Sequence, residues 1–97
     1  MAQFIGKRLE ELPTPNFCVD RFKYAKNCQK MLDICKNLGI QLRGHTKTHK
    51  TIEGALLQTT STKKSIVVST LVEAEFYANA GFEDILYGFP LSPDKIS

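Results

Sequence analysis

Tryptophan is absent from this 97-residue chain, and glycine (6), proline (4), cysteine (3) and methionine (2) are all sparse. So little glycine and proline argues against a low-complexity or disordered chain. Cysteine is short in number and wrong in spacing: Cys18, Cys28 and Cys35 are odd in count and contain no CxxC pair. That argues against a disulfide framework or a zinc knuckle and leaves reduced thiols packing as small apolar groups. Long apolar runs are missing too. The longest run of branched aliphatics, Ile66 to Val68, is far below the ~18 residues needed to cross a bilayer, so no membrane span is expected. The opening MAQFIGKRLEELP lacks the apolar stretch of a secretory signal, which points to a chain made and kept in the cytoplasm.

What is present is an ordinary globular mixture, 42% hydrophobic and 24% charged, of a length that suits one small domain. The net charge of +3 is unevenly spread. Residues 1–40 carry seven basic and four acidic groups, residues 41–64 five and one, and residues 65–97 one and five. The middle of the chain is therefore a cationic island. It has no aromatic residue for base stacking and no basic run longer than Lys63-Lys64, so nucleic acid is a poor fit. A small phosphate-bearing ligand suits it better, with a solvated basic surface as the plain alternative.

Local signals divide the chain into strands and helices. Leu12-Pro13-Thr14-Pro15 closes an N-terminal segment, because each proline pushes its predecessor out of helical geometry. Asn16 to Val19 then reads as a short strand, and Asp20 can cap a helix. From Arg21 to Leu38, Phe22, Ala25, Cys28, Met31, Leu32, Cys35 and Leu38 recur at helical spacing, which predicts one amphipathic helix with a core stripe. Gly39 suits its left-handed cap. Ile40 to Thr46 is the next strand candidate, Thr51 to Gln58 the next helix, and Ser65 to Ser69 a strand buried on both faces. Thr70 and Glu73 form a capping box that opens a helix from Leu71 to Ala80. Gly81 ends it, and Asp84 to Gly88 supplies the last strand.

About 18 residues separate the second and third strands and about 14 the third and fourth, enough for parallel crossovers. Right-handed crossovers put both helices on one face if the strands run in sequential order, as at the start of a (β/α)₈ barrel. The predicted class is therefore α/β, with about three parallel strands plus the N-terminal one: residues 1–15 as a leading segment and residues 16–97 as part of a barrel. A full barrel takes eight strands and ~250 residues, so this pattern reads as the front of a larger enzyme.

The chemistry concentrates in Arg43-Gly44-His45-Thr46-Lys47-Thr48-His49-Lys50, where a strand ends and a helix begins. Barrel enzymes mount their catalytic groups on that rim. Lys47 is flanked by Arg43, Lys50 and two histidines, and neighbouring positive charge with partial burial activates an amine as a nucleophile. Such a lysine can form a Schiff base with a substrate carbonyl or with pyridoxal phosphate; the alternative is a solvated basic loop. His45 and His49 are four apart, as in a zinc pair on a helix. They straddle a strand end without a nearby carboxylate or cysteine, so a role beside the lysine is the better reading. Arg43 is either an anion holder or an exposed strand residue.

RGHTKTHKT, followed by STLVEAEFYANAGFEDILYGFPL, resembles the N-terminal part of the eukaryotic D-serine dehydratases. Those enzymes are similar to D-threonine aldolase and the alanine racemase-like barrels within the fold-type III pyridoxal phosphate enzymes. The likeness covers roughly residues 13–95. It implies that Lys47, the first lysine of a family motif Arg-Pro-His-x-Lys-Thr-His-Lys, is the catalytic residue and carries pyridoxal 5′-phosphate as a Schiff base. It further implies conversion of D-serine to pyruvate and ammonia, a homodimeric parent protein, and a zinc ion whose ligands lie beyond this chain. Other readings of the same motif are a D-threonine aldolase-like lyase, a non-catalytic pyridoxal phosphate carrier and an inactive truncated form. Gly44 departs from the family proline, which predicts a flexible turn into the lysine. A phosphate-binding tyrosine of alanine racemase relatives has no counterpart between Lys47 and Phe76.

Overall fold

A computed structural model describes residues 2–96. Its longest element is α1, Arg21–Leu38, with the bounds that the periodicity predicts. Local chemistry explains both ends. The Asp20 carboxylate accepts the N–H groups of Phe22 and Lys23, each at 3.1 Å, satisfying two donors that the first turn leaves open. At the other end Gly39 adopts φ 69°, and Gly39 and Ile40 return their N–H groups to Lys36 and Cys35, a closure that favours glycine. The expected core stripe is only partly realised. Cys35 is buried, whereas Phe22 and Leu38 are exposed, because α1 packs chiefly on a second helix and not on the sheet.

The sheet has three strands, all parallel, in the order β1 (Gly44–His45), β2 (Lys64–Val68), β3 (Glu83–Tyr87). Gly44 pairs with Ile66 and Ile66 with Ile85, so one register line crosses all three. Two helices make the crossovers: α2 (Ile52–Thr59) and α3 (Leu71–Asn79). Both cover the same face, where Ala55, Ile66, Val68, Tyr77 and Phe82 form the core. Full burial of Ile66 and Val68 contributes roughly 1.5–3 kcal/mol per side chain. Tyr77 and Phe82 meet edge to face, 5.3 Å between ring centroids.

Other expectations need correction. Asn16 to Val19 forms no strand; these residues are exposed and pair with no other segment among the described residues, and a strand exists only through its ladder. The second predicted strand shrinks from Ile40–Thr46 to Gly44–His45 for the same reason. β2 is not buried on both faces: Ile66 and Val68 are covered by helices, but Val67 is only partly buried. Its neighbour Leu86 is 51% exposed, because no described element covers that side of the sheet. Finally, Gly44 is no flexible turn. It lies within β1, where an added Cβ would stand 3.2 Å from Gln58 Nε2. The exposed Cys18 also packs against no core, although all three cysteines are free.

Candidate functional site at the strand C-termini

Strand alternation sorts the octet. Thr46, immediately after β1, points under the helices and is fully buried. Its hydroxyl and its N–H both go to the Val67 carbonyl, at 3.1 and 3.0 Å, which pins the chain just before the lysine. Lys47 to His49 then form a turn closed by Lys50 N–H to the Thr46 carbonyl at 2.9 Å. Lys50 has φ 51°, a left-handed conformation uncommon for a residue with a side chain. Thr51 ends the turn by capping α2, its hydroxyl accepting the Gly54 N–H at 3.0 Å.

Lys47 is exposed on this turn, not partly buried as its setting suggested. Its backbone N–H donates to His45 Nδ1 at 3.2 Å. Its ammonium has no hydrogen-bond or ion-pair partner among the described residues. The His45 ring leans over the helix-free face toward the end of β3: its Nε2 would lie 3.9 Å from a Cβ at Gly88. That same Cβ would stand 2.9 Å from Val67 Cγ1, so a residue without a side chain keeps the rim open there.

His49 goes the other way. Its Nδ1 accepts the Thr51 N–H at 3.0 Å, which leaves the proton on Nε2 for Gln58 Oε1 at 2.9 Å. Gln58 in turn donates to the His45 carbonyl at 3.2 Å, and Tyr24 of α1 meets the His49 ring edge to face at 5.5 Å. The two histidines therefore share no ligand position. His49 ties β1 to α2, while His45 faces the lysine side.

Arg43 holds an anion, but an internal one. It spans the helix-free face to Asp84, with Nη2 to Oδ2 at 2.7 Å and Nη1 to the Asp84 carbonyl at 2.7 Å. Ser65 donates to the same carboxylate oxygen at 2.9 Å. These bonds, the Arg43 hydrogen bond foremost, hold the Asp84 carboxyl below its usual range.

Sequence reasoning missed the role of α3 beneath the turn. Tyr77, fully buried, donates its phenol to the Thr51 carbonyl at 3.2 Å. Burial chiefly raises the phenol's pKa, partly offset by the Thr46 hydroxyl beside it. Glu73, one turn earlier on the same helix face, is only 6% exposed. Its Oε2 accepts the hydroxyls of Ser69 and Thr70 at 2.8 Å each. The expected capping box is thus half realised: Thr70 does accept the Glu73 N–H at 3.1 Å, but the carboxylate takes hydroxyls in place of the Thr70 backbone. A Ser69-Thr70 pair placed three and four residues before a glutamate was the one available signal.

No family model matches the chain. It is 39% identical over 99 residues to the D-serine dehydratase of Schizosaccharomyces pombe, an alignment covering 97% of this chain and 24% of that protein. It is 35% identical to the D-threo-3-hydroxyaspartate dehydratase of a Delftia strain, over 88% of this chain and 22% of the relative. A solved histidine-to-alanine variant of D-threo-3-hydroxyaspartate dehydratase superposes with a TM-score of 0.80 at 35% identity, over 89% of this chain and 22% of that one. The chain spans about a quarter of the length of these relatives. It resembles, over nearly all its own length and in both sequence and fold, a quarter-length part of the D-serine dehydratases and their dehydratase relatives.

Proposed function

We propose that this chain is the N-terminal, cofactor-anchoring part of a pyridoxal 5′-phosphate-dependent D-serine dehydratase, with Lys47 as the anchoring residue. The observation that carries this is an exposed, unpaired lysine amine at the C-terminal end of a parallel strand, on a turn fixed at both ends. Residues 1–15 are then a leading segment and residues 16–97 the start of a (β/α)₈ barrel. Zinc, the homodimer and a cytoplasmic location belong to the same proposal for the longer protein. Among the described residues no helix is long and apolar enough to cross a membrane.

The rim suits such a cofactor. Gly88 leaves open the space beside His45 that a Cβ would fill, and the Lys47 amine has no competing partner among the described residues. Bound there, pyridoxal phosphate supplies an electron sink for loss of a proton from the amino acid's α-carbon. The chain's own contribution is to hold the group through Lys47 Nζ and, when that amine is released, to take the proton on it. His45 orients the turn by accepting the Lys47 N–H. Zinc finds no comparable fit: no group of three or more metal-ligating side chains forms among the described residues, and its ligands belong to other parts of the longer protein.

The test is borohydride reduction of the chain mixed with pyridoxal 5′-phosphate, followed by peptide mapping. Label concentrated on Lys47, and lost in Lys47→Arg, is the expected result. Label spread evenly over the ten lysines, or concentrated on Lys50, refutes the assignment.

A further inference from the structure

Two lysines, Lys47 and Lys50, stand on one short turn, and only one can be the anchor. What separates them lies on α3. Glu73 is nine-tenths buried, yet only one of its carboxylate oxygens is used: Oε2 takes both hydroxyls, and Oε1 is buried without a partner. A buried carboxylate oxygen without a donor is costly, and native structures rarely leave one. The Glu73 face of α3 packs under this very turn, because Tyr77, one turn along the helix, bonds the carbonyl of Thr51. Lys50 is the residue immediately before Thr51; its backbone is left-handed, and its side chain is exposed with no ion-pair partner among the described residues, so it is free to reach an acceptor on α3. Backbone strain of that kind persists where surrounding contacts enforce it. The charge of Lys50 also acts on Glu73, helping the hydroxyls of Thr70 and Ser69 outweigh burial and lower the carboxyl's pKa.

We infer that Glu73 is a positioning residue: its open oxygen receives the Lys50 ammonium, so that Lys50 is held and Lys47 is left as the one free amine of the turn. This deepens the cofactor reading and rests on it. Neither member touches the reacting atoms, and the effect on Lys47 is selective availability.

The probe is pyridoxal 5′-phosphate with borohydride trapping, read as the ratio of label at Lys47 to label at Lys50 in the full chain. Glu73→Gln preserves size and hydrogen-bond acceptance but removes the charge, and its folding is checked by circular dichroism. The ratio is expected to fall at least about fivefold, the scale of a lost charge-assisted hydrogen bond. In a Lys50→Gln background the same change is expected to leave Lys47 labelling unaltered. The wild-type chain gives a reading that needs no variant: a held Lys50 ammonium shows a slowly exchanging ¹⁵N side-chain signal near the Glu73 methylenes. An unchanged ratio in a folded Glu73→Gln chain, or a rapidly averaged Lys50 signal in the wild type, overturns the role of Glu73 while leaving Lys47 as anchor. A wild-type chain without preference for Lys47 overturns the cofactor reading itself.

Discussion

Replacing Gly54 by alanine sets two effects of opposite sign against one another. Gly54 lies in the first turn of α2, and an alanine in a helix is favoured over glycine by about 1 kcal/mol. Propensity alone therefore predicts a more stable protein. The added Cβ, however, would sit 2.6 Å from His49 Nδ1, 2.8 Å from His49 Cε1 and 2.8 Å from Thr51 Oγ1. None of these atoms is free to yield. The His49 ring is bonded at both nitrogens and flanked by Tyr24, and Thr51 Oγ1 is the cap of α2. Overpacking of this kind costs roughly 1–3 kcal/mol, and displacing the cap about 1 kcal/mol more. Subtracting the propensity gain leaves Gly54→Ala destabilising by about 2 kcal/mol, a fall in Tm of roughly 8–16 °C for a domain of this size. Urea and thermal unfolding measure it directly. Adding His49→Ala removes two of the three close contacts, so in that background the cost of Gly54→Ala is expected to shrink by at least about 1 kcal/mol. A Gly54→Ala chain as stable as the wild type, or a cost unaffected by His49→Ala, refutes the claim that His49 is a fixed strut between β1 and α2.

Other consequences are equally measurable. Tyr77→Phe keeps the buried ring but leaves the Thr51 carbonyl with the Ala55 N–H as its one remaining donor, at a cost of about 1 kcal/mol, with faster hydrogen exchange at Lys50 and Thr51 as its local signature. Glu73 and Asp84 both have carboxyl pKa values lowered by folding, so their stabilisation is complete above their unfolded values and is lost as pH falls through the lower folded ones. Acid unfolding should therefore set in below the ordinary carboxylate range and flatten in Asp84→Asn, as followed by circular dichroism. The 97-residue chain should release no measurable pyruvate from D-serine, because three strands do not close a barrel. Enzyme-like pyruvate release would show that the missing parts are dispensable.

The features legible in the sequence were those decided by near neighbours. Helix α1 needed only its periodicity, Asp20 and Gly39, all within one segment. The parallel strands and their shared helical face followed from crossover lengths and handedness. What failed depended on distant partners. Asn16 to Val19 has strand composition but no ladder, and composition cannot supply one. The pairing of Arg43 with Asp84 spans 41 positions, and nothing local to Arg43 announces it. Lys47 was placed correctly at a strand end, but it is exposed on the turn and not partly buried, because its setting depends on elements distant in sequence. Glu73 was read as a cap, which it partly is.

The octet from Arg43 to Lys50 thus works as two interleaved sets, and the division explains why its cations are so dense. Side chains alternate across a strand, so Arg43 and His45 face the bare side of the sheet while Gly44 and Thr46 face the helices. The helix-facing set fixes position: Thr46 bonds the Val67 carbonyl, and the close approach at Gly44 leaves room for the Gln58 amide that bonds both histidines. The sheet-facing set carries charge, and Arg43 spends its charge on Asp84. With Lys50 given to Glu73, the cationic island holds one amine without an internal partner, Lys47. A cluster that looks redundant in composition is then selective in structure, since each neighbouring cation is committed to its own acceptor. Removing the acceptor of Lys50, by Glu73→Gln, should degrade the selectivity of Lys47 labelling before it degrades the fold. The reverse order, with unfolding preceding any loss of selectivity, would mean that this carboxylate serves stability alone.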